Sequence, residues 1–263
     1  MLKVKKAQIA IWVVLALVLA GSIILFFTLG RGPKLVGPGD AGVVFDEEAY
    51  ITSCVNDIVE ESLDAILPRG GFKIPLNSRN FNDTKLGELV QVEYICENRG
   101  FYYPCIQQHP MLLNEMKAEI RKDIAPRISG CFDSFKEEVE NAQGNVIFDS
   151  PLDIEVYLEP DRIFIDVKRD VRITKQEETR RFRGVRVETI SPVYNLAVLA
   201  MEIASQEADY CYFEYVGYKT FYPRYTVKKY VLSDYTRIYT LIDTETDEHM
   251  NIAVRSCAIP PGL

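Results

Sequence analysis

From Ala7 to Leu29 the chain runs for 23 residues without a charged side chain (AQIAIWVVLALVLAGSIILFFTL). At about 1.5 Å per residue, a helix of that length crosses a bilayer core of roughly 30 Å, so residues 7–29 are expected to form a transmembrane helix. A cleaved secretory signal is the rival reading, because Val18 and Ala20 suit a signal-peptidase site and Lys3, Lys5 and Lys6 make an n-region. The apolar run continues past that site from Ile23 to Phe27, which favours a retained anchor. Three lysines precede the span, and Arg31 and Lys34 follow it. The positive-inside rule therefore places residues 1–6 in the cytoplasm and the rest of the chain, after a Gly/Pro tether at 30–42, outside.

Beyond the tether the pattern is first helical. Ile51, Cys54, Val55, Ile58, Val59, Ser62, Leu63 and Ile66 fall on one face of a helix from about Phe45 to Leu67, which Pro68 and Gly70-Gly71 stop. Residues 72–88 read as loop. Leu89–Cys96 and Phe101–Cys105 read as a short hairpin about the turn Glu97-Asn98-Arg99-Gly100. A helix then opens at Pro110 and reaches about Asn141, with Pro126 expected to kink or split it.

After Gly144 the period changes to two. Leu152, Ile154, Val156 and Leu158 line one strand, and Ile163, Ile165 and Val167 begin its partner across the turn Glu159-Pro160-Asp161-Arg162. In a third strand, Arg180 to Thr189, Phe182 and the pair Val185 and Val187 fall on opposite faces, so a bulge is expected at Gly184. Ser191 is expected to cap a helix with Pro192 at its first position and Val193, Leu196, Ala197, Ala200, Met201 and Ala204 along its buried stripe. Tyr225–Leu232, Tyr235–Asp243 and Met250–Cys257 read as the last strands. The fold class is thus α+β: a membrane helix, a helical Cys-bearing subdomain at 43–143, and a subdomain at 144–263 in which one helix packs on an antiparallel sheet.

Charge removes one class of function. Residues 1–31 hold four bases and no acid, so the remaining 232 residues carry 26 Lys and Arg against 38 Asp and Glu, a formal charge of −12. A nucleic-acid binder needs a broadly basic footprint, and this domain has the reverse. One basic ribbon interrupts the acidity: Lys168, Arg169, Arg172, Lys175, Arg180, Arg181, Arg183 and Arg186 stand against Asp170, Glu177 and Glu178. It reads either as the solvated face of a sheet or as a dock for an acidic glycan, a lipid headgroup or an acidic protein. A tyrosine-rich stretch from Tyr210 to Tyr225 either packs a sheet or makes a binding face for a protein or glycan partner. Arg169, Arg181, Arg183, Tyr212 and Tyr215 are accordingly the candidate binding residues.

Six cysteines in a segment expected to be exported imply disulfides. With no C-x-x-C pair and only His109 and His249, zinc is the weaker reading and no metal site is assigned. The expected pairs are Cys54 with Cys131, joining two helices through their apolar faces; Cys96 with Cys105, closing the hairpin; and Cys211 with Cys257, tying the segment after the Ser191 helix to the last strand. Asp243-Thr244-Glu245-Thr246-Asp247 alternates oxygens as a calcium loop does but lacks its glycine and terminal glutamate, and reads as a hairpin turn. Asn82-Asp83-Thr84 is a glycosylation sequon, or a chance one. No G-x-S-x-G, H-E-x-x-H or phosphate loop is present, and no cofactor is expected.

Lys5-Lys6-Ala7-Gln8 before an apolar helix resembles the class III signal of archaeal type IV pilins, which implies processing between Ala7 and Gln8. The span lacks the early glutamate of pilins, and the glycines and prolines of 30–42 interrupt an assembly helix. More widely the chain resembles single-span surface proteins of small-genome archaea of the DPANN type. That likeness rests on the same start, the Cys-bearing helices around Ile51-Thr52-Ser53-Cys54-Val55 and Ile128-Ser129-Gly130-Cys131-Phe132, Gly70-Gly71, and the strands near Ile238–Asp243 and Met250–Arg255. It implies a cell-surface location and no particular activity. The expected role is a membrane-anchored extracytoplasmic module for binding or envelope structure, with a pilin-like subunit and a carboxylate-based envelope hydrolase as alternatives.

Overall fold

The computed structural model describes residues 46–175 and 178–257. The expected span at 7–29, the tether and the Ala7-Gln8 site lie outside these residues; among those described, no helix is long and apolar enough to cross a membrane.

Helix α1 (Glu47–Ile66) begins where the Asp46 carboxylate accepts the Ala49 amide at 3.1 Å, and it buries the expected stripe of Ile51, Val55, Ile58, Val59, Leu63 and Ile66. It ends in a single 3-10 turn, Leu67–Arg69, closed by Gly70 at φ 83°. Strands β1 (Ser78–Asp83) and β2 (Glu88–Glu97) pair antiparallel, so part of the stretch expected as loop is a strand. The expected hairpin partner at 101–105 is irregular, and β2 instead meets the two-residue β3 (Ile106–Gln107). Helix α2 (Leu112–Asn141) passes through Pro126 without ending. Buried Ile120, Ile124, Ile128 and Phe132 on both sides of the proline hold the two halves to one apolar seam, which outweighs the lost backbone hydrogen bond.

The second half supplies β4 (Asn145–Phe148), β5 (Asp153–Glu159), β6 (Arg162–Lys175), β7 (Glu178–Ile190), α3 (Val193–Tyr210), α4 (Tyr215–Phe221), β8 (Tyr225–Val231), β9 (Arg237–Asp243) and β10 (His249–Arg255). These strands form two sheets. One has the order β1-β2-β10-β9-β8 with β3 also on β2; in the other β6 pairs with β4, β5 and β7. The first sheet is mixed, because β2 and β10 run parallel. That pairing corrects the expected antiparallel sheet to a mixed one, in which strands from both sides of residue 144 take part. Strand period reports which face is buried and is silent about which distant strand is the neighbour.

The register of the second sheet explains the expected anomaly at Gly184. Lys168 faces Gly184 and Val171 faces Phe182, so Arg169 and Asp170 of β6 stand opposite Arg183 alone. The extra residue is thus on β6, and the face change is taken at Gly184, whose φ of 113° excludes a side chain. Phe182 is thereby paired on the inner face with buried Val171 while Val185 and Val187 stay buried. On the other edge of β6 the break between β4 and β5 falls at the same place, where the Asp170 amide is held by the Ser150 hydroxyl at 2.8 Å.

α1 and α2 pack on the inner face of this sheet and α3 on the first sheet. Cys54 and Cys131 join α1 to α2 with Cα atoms 6.2 Å apart. Ser191 does not cap α3, whose N-cap is Pro192; its hydroxyl turns instead to Glu248 at 2.7 Å.

Two variants test this account. A Cβ at position 184 would overlap the Val167 carbonyl oxygen, so Gly184→Ala should lower stability by about 2–3 kcal/mol in denaturant unfolding. Replacing Cys54 and Cys131 together by Ala opens a 77-residue separation and should cost about 4 kcal/mol in the same assay; an unchanged midpoint would refute the bond's contribution.

Candidate binding surface

At one end of the mixed sheet two disulfides sit on a buried ion pair. Glu207 on α3 is fully buried and pairs with Arg237 at the start of β9. Arg237 also donates to the carbonyl oxygens of Cys211 at 2.8 Å and Cys257 at 2.7 Å, the two residues of the third disulfide, whose Cα atoms are 5.5 Å apart. Tyr239 donates its hydroxyl to the second oxygen of Glu207, and burial followed by that carboxylate pushes the phenol well above its usual range. The Ser256 hydroxyl donates to the Glu207 carbonyl at 2.9 Å and accepts the Cys105 amide at 3.2 Å, which links this cluster to the Cys96–Cys105 bond.

That bond closes residues 96–105 into a small ring, with Cα atoms 5.4 Å apart. Asn98 organises it: its amide donates to the Arg255 carbonyl at 2.7 Å, its side chain donates to the Pro104 carbonyl at 2.8 Å and accepts the Gly100 amide at 2.8 Å. The ring presents apolar groups to solvent. Tyr102 is 79% exposed, Tyr103 68% and Phe101 52%, and neighbouring Ile106 is 67% exposed. Phe101 leans edge-on against Tyr235 of the β8–β9 turn with ring centres 5.9 Å apart. A disulfide ring that displays large aromatic side chains has already lost the freedom that binding would otherwise cost. Sequence reasoning took Phe101–Cys105 for a strand; the run Phe101-Tyr102-Tyr103 between two cysteines was the available signal.

The residues singled out from the sequence are distributed differently. Arg169 turns inward, its guanidinium 3.6 Å from the Phe148 ring centre and 5.0 Å from that of Phe132, and burial holds its pKa below the usual arginine range against the opposing pull of Asp133. Arg181 and Arg183 are exposed on β7. Tyr212 and Tyr215 belong to the other sheet's surroundings, where their rings lie 5.2 and 5.7 Å from the Lys229 ammonium on β8, so the expected basic and tyrosine patches do not form one surface. The tyrosine-rich stretch after Tyr210 contains the short helix α4. Asn82 is exposed on β1, while Asp83 beside it is buried.

Residues 244–248 join β9 to β10 as the expected turn, and the acids around it are engaged. One Asp243 oxygen accepts the amides of Glu245 and Thr246, and the other pairs with Arg224 at 2.6 Å. Among the described residues no group of three or more His, Cys, Asp and Glu is placed to hold a metal. The turn walls a cleft of about 390 Å³ together with Leu63, Asp64, Pro68 and Lys85. Asp83 lies beneath it. Burial pushes this carboxyl up, but His249 Nε2 at 2.8 Å, Asn251 at 2.6 Å and the amides of Lys85 and Leu86 outweigh burial and hold it below the usual range. Glu248 moves the other way, to about 6, because burial and the neighbouring Asp64, Asp243 and Glu60 exceed the help of the Ser191 hydroxyl. Two carboxyls with opposite shifts in one neighbourhood is the pattern that acid–base sites use. No family model, curated protein or solved structure matches this chain.

Glu248 gives a pH test with a definite sign. Its folded-state value lies above the ordinary 4.5, so its stabilising contribution is present below pH 4.5 and is lost as the pH rises through about 6. Glu248→Gln keeps an acceptor for Ser191 and removes the charge. At pH 7.5 the variant should be more stable than the parent by about 1 kcal/mol, the full shift being discounted for partial exposure. The difference should vanish near pH 4.5, and a difference independent of pH would refute the assignment.

Proposed function

We propose that residues 46–257 form an extracytoplasmic binding module, held at a membrane by residues 7–29, that takes a protein partner on the aromatic ring closed by Cys96 and Cys105. The observation that carries this reading is the exposure of Phe101, Tyr102 and Tyr103 on a covalently closed loop. Monomeric surfaces seldom spend three consecutive large aromatics on solvent, whereas interface centres are enriched in them. Three internal disulfides accord with an oxidising, extracellular-type setting, and the 23-residue uncharged stretch with an anchor. Aromatic side chains exposed on a closed loop suit insertion into a protein pocket.

The acidic cleft supports a second reading, an envelope hydrolase in which Glu248, with its value near 6, supplies a proton and a neighbouring carboxylate such as Asp64 acts as its partner. Loss of envelope-polymer turnover in both Glu248→Gln and Asp64→Asn would favour it. The pilin-like alternative rests on Ala7-Gln8 and would be favoured by a mature N-terminus at Gln8 in mass spectrometry.

The leading reading is tested in intact cells. A photo-activatable residue at Tyr102 should give discrete higher-mass protein adducts, and the same residue at exposed Glu159 on the other sheet should not. Alanine at Phe101 and Tyr103 should reduce the adduct on the order of tenfold without changing the melting temperature. Equal adducts from both positions, or none from Tyr102, would reject the ring as the contact. Protease shaving of the same cells should release the domain, and full protection would reject its placement outside.

A further inference from the structure

We infer that the outer face of the distal half of the β6–β7 hairpin is a contact surface for anionic lipid headgroups. The inference rests on the membrane-anchored reading, and four observations lead to it.

The first is position. Tyr50, one turn into α1, packs on Phe135 with ring centres 5.8 Å apart, and Phe132, one turn earlier in α2, meets Phe148 of β4 at 6.2 Å and Phe182 of β7 at 6.5 Å. β4 in turn pairs with residues 171–174 of β6. The start of α1, where the chain arrives from the Gly/Pro segment, therefore lies at the same end of the domain as the distal hairpin. The opposite end of α1 meets the mixed sheet, where the Asn251 side chain donates to the Pro68 carbonyl at 3.0 Å. A helix of 20 residues is about 30 Å long, so the two ends are well separated.

The second is the face. Val171 and Phe182 point inward to the helices, so Arg172 and Arg181, which are directly opposed across the strands, and Arg183 belong to the outer face. The acids Glu137, Glu138 and Glu140 belong to α2 on the inner side.

The third is pairing. Lys168, Arg172, Arg180 and Arg186 have carboxylate partners in Glu155, Asp149, Glu178 and Asp166. Among the described residues Lys175, Arg181 and Arg183 have none. Opposing two arginines across a strand pair costs stability unless an anion offsets them, and Asp149 serves only Arg172.

The fourth is contrast. Residues 32–263 carry a formal charge of −12, so bases left without carboxylate partners on one face are the groups an anionic membrane would attract.

The test uses the full chain in vesicles of neutral phosphatidylcholine, with or without about one third phosphatidylglycerol, and reads arginine modification by a phenylglyoxal reagent by mass spectrometry. Arg181 and Arg183 should react on the order of tenfold more slowly in the anionic vesicles, and 0.5 M salt, at about a 4 Å screening length, should restore their rate. Arg162, at the hairpin base and paired with Glu188 at 2.7 Å, should be unaffected. Vesicle flotation after a high-salt wash reports the anchor separately. A chain that floats but shows equal rates in both lipids overturns the inference and leaves the anchor standing. A chain that does not float overturns the anchor and the inference with it. Protection in neutral vesicles that appears only on adding polyglutamate assigns the face to an acidic protein and overturns the lipid.

Discussion

The Glu207–Arg237 pair is the constraint on which the mixed sheet and its displayed ring depend. A buried carboxyl group is costly unless its oxygens are engaged, and here Arg237 takes one and Tyr239 the other. Satisfying Glu207 fixes α3 against β9; satisfying Arg237 with the Cys211 and Cys257 carbonyls fixes both ends of a disulfide. Ser256 and Asn98 then carry the same order into the Cys96–Cys105 ring. The polar cluster contributes uniqueness of arrangement more than net stability, because a well-packed apolar replacement would stabilise α3 on the sheet equally well without orienting the ring.

The second sheet solves a different problem. Its hairpin is long, and a strictly regular ladder would bring Phe182 or the Val185 and Val187 pair to solvent. One extra residue on β6, a glycine at φ 113° on β7 and a break between β4 and β5 at the same level shift the ladder together. The device has a secondary consequence for charge. It turns Arg169 inward onto two phenylalanine rings, where its alkyl stem and guanidinium fill space beside α2, while Arg181 and Arg183 remain outside.

The helix α1 connects these two systems. Its first half lies with the aromatic seam of Phe132, Phe135, Phe148 and Phe182, and its last turn docks Pro68 and Gly70 against β10 and β2. One helix and the turn that ends it thus join the aromatic seam of the second sheet to the mixed sheet. The acidic cleft forms where that last turn meets the β9–β10 turn, so a change in Glu248 charge acts at the joint between the sheets.

The sequence by itself determined what depends on local period and chemistry. The stripe of α1, the helix after Ser191, the strands from 152 to 190 and from 225 to 255, the turn at 243–247 and the use of the cysteines as disulfides were legible, because burial of one face repeats every 3.6 or two residues and an even cysteine set in a segment expected to be exported implies pairing; which cysteine meets which is not fixed by sequence, and the structure decided it. Only the tertiary structure decided what depends on distant neighbours. The parallel contact of β2 with β10, the continuity of α2 through Pro126, the diversion of Ser191 to Glu248 and the separation of Arg181 from Tyr212 each turn on a partner fifty or more residues away, or on packing strong enough to override a local rule. The ring at 96–105 lay between the two cases: its closure could be read from the cysteines, but its exposure could not, since an aromatic run has the same composition whether a sheet covers it or water does.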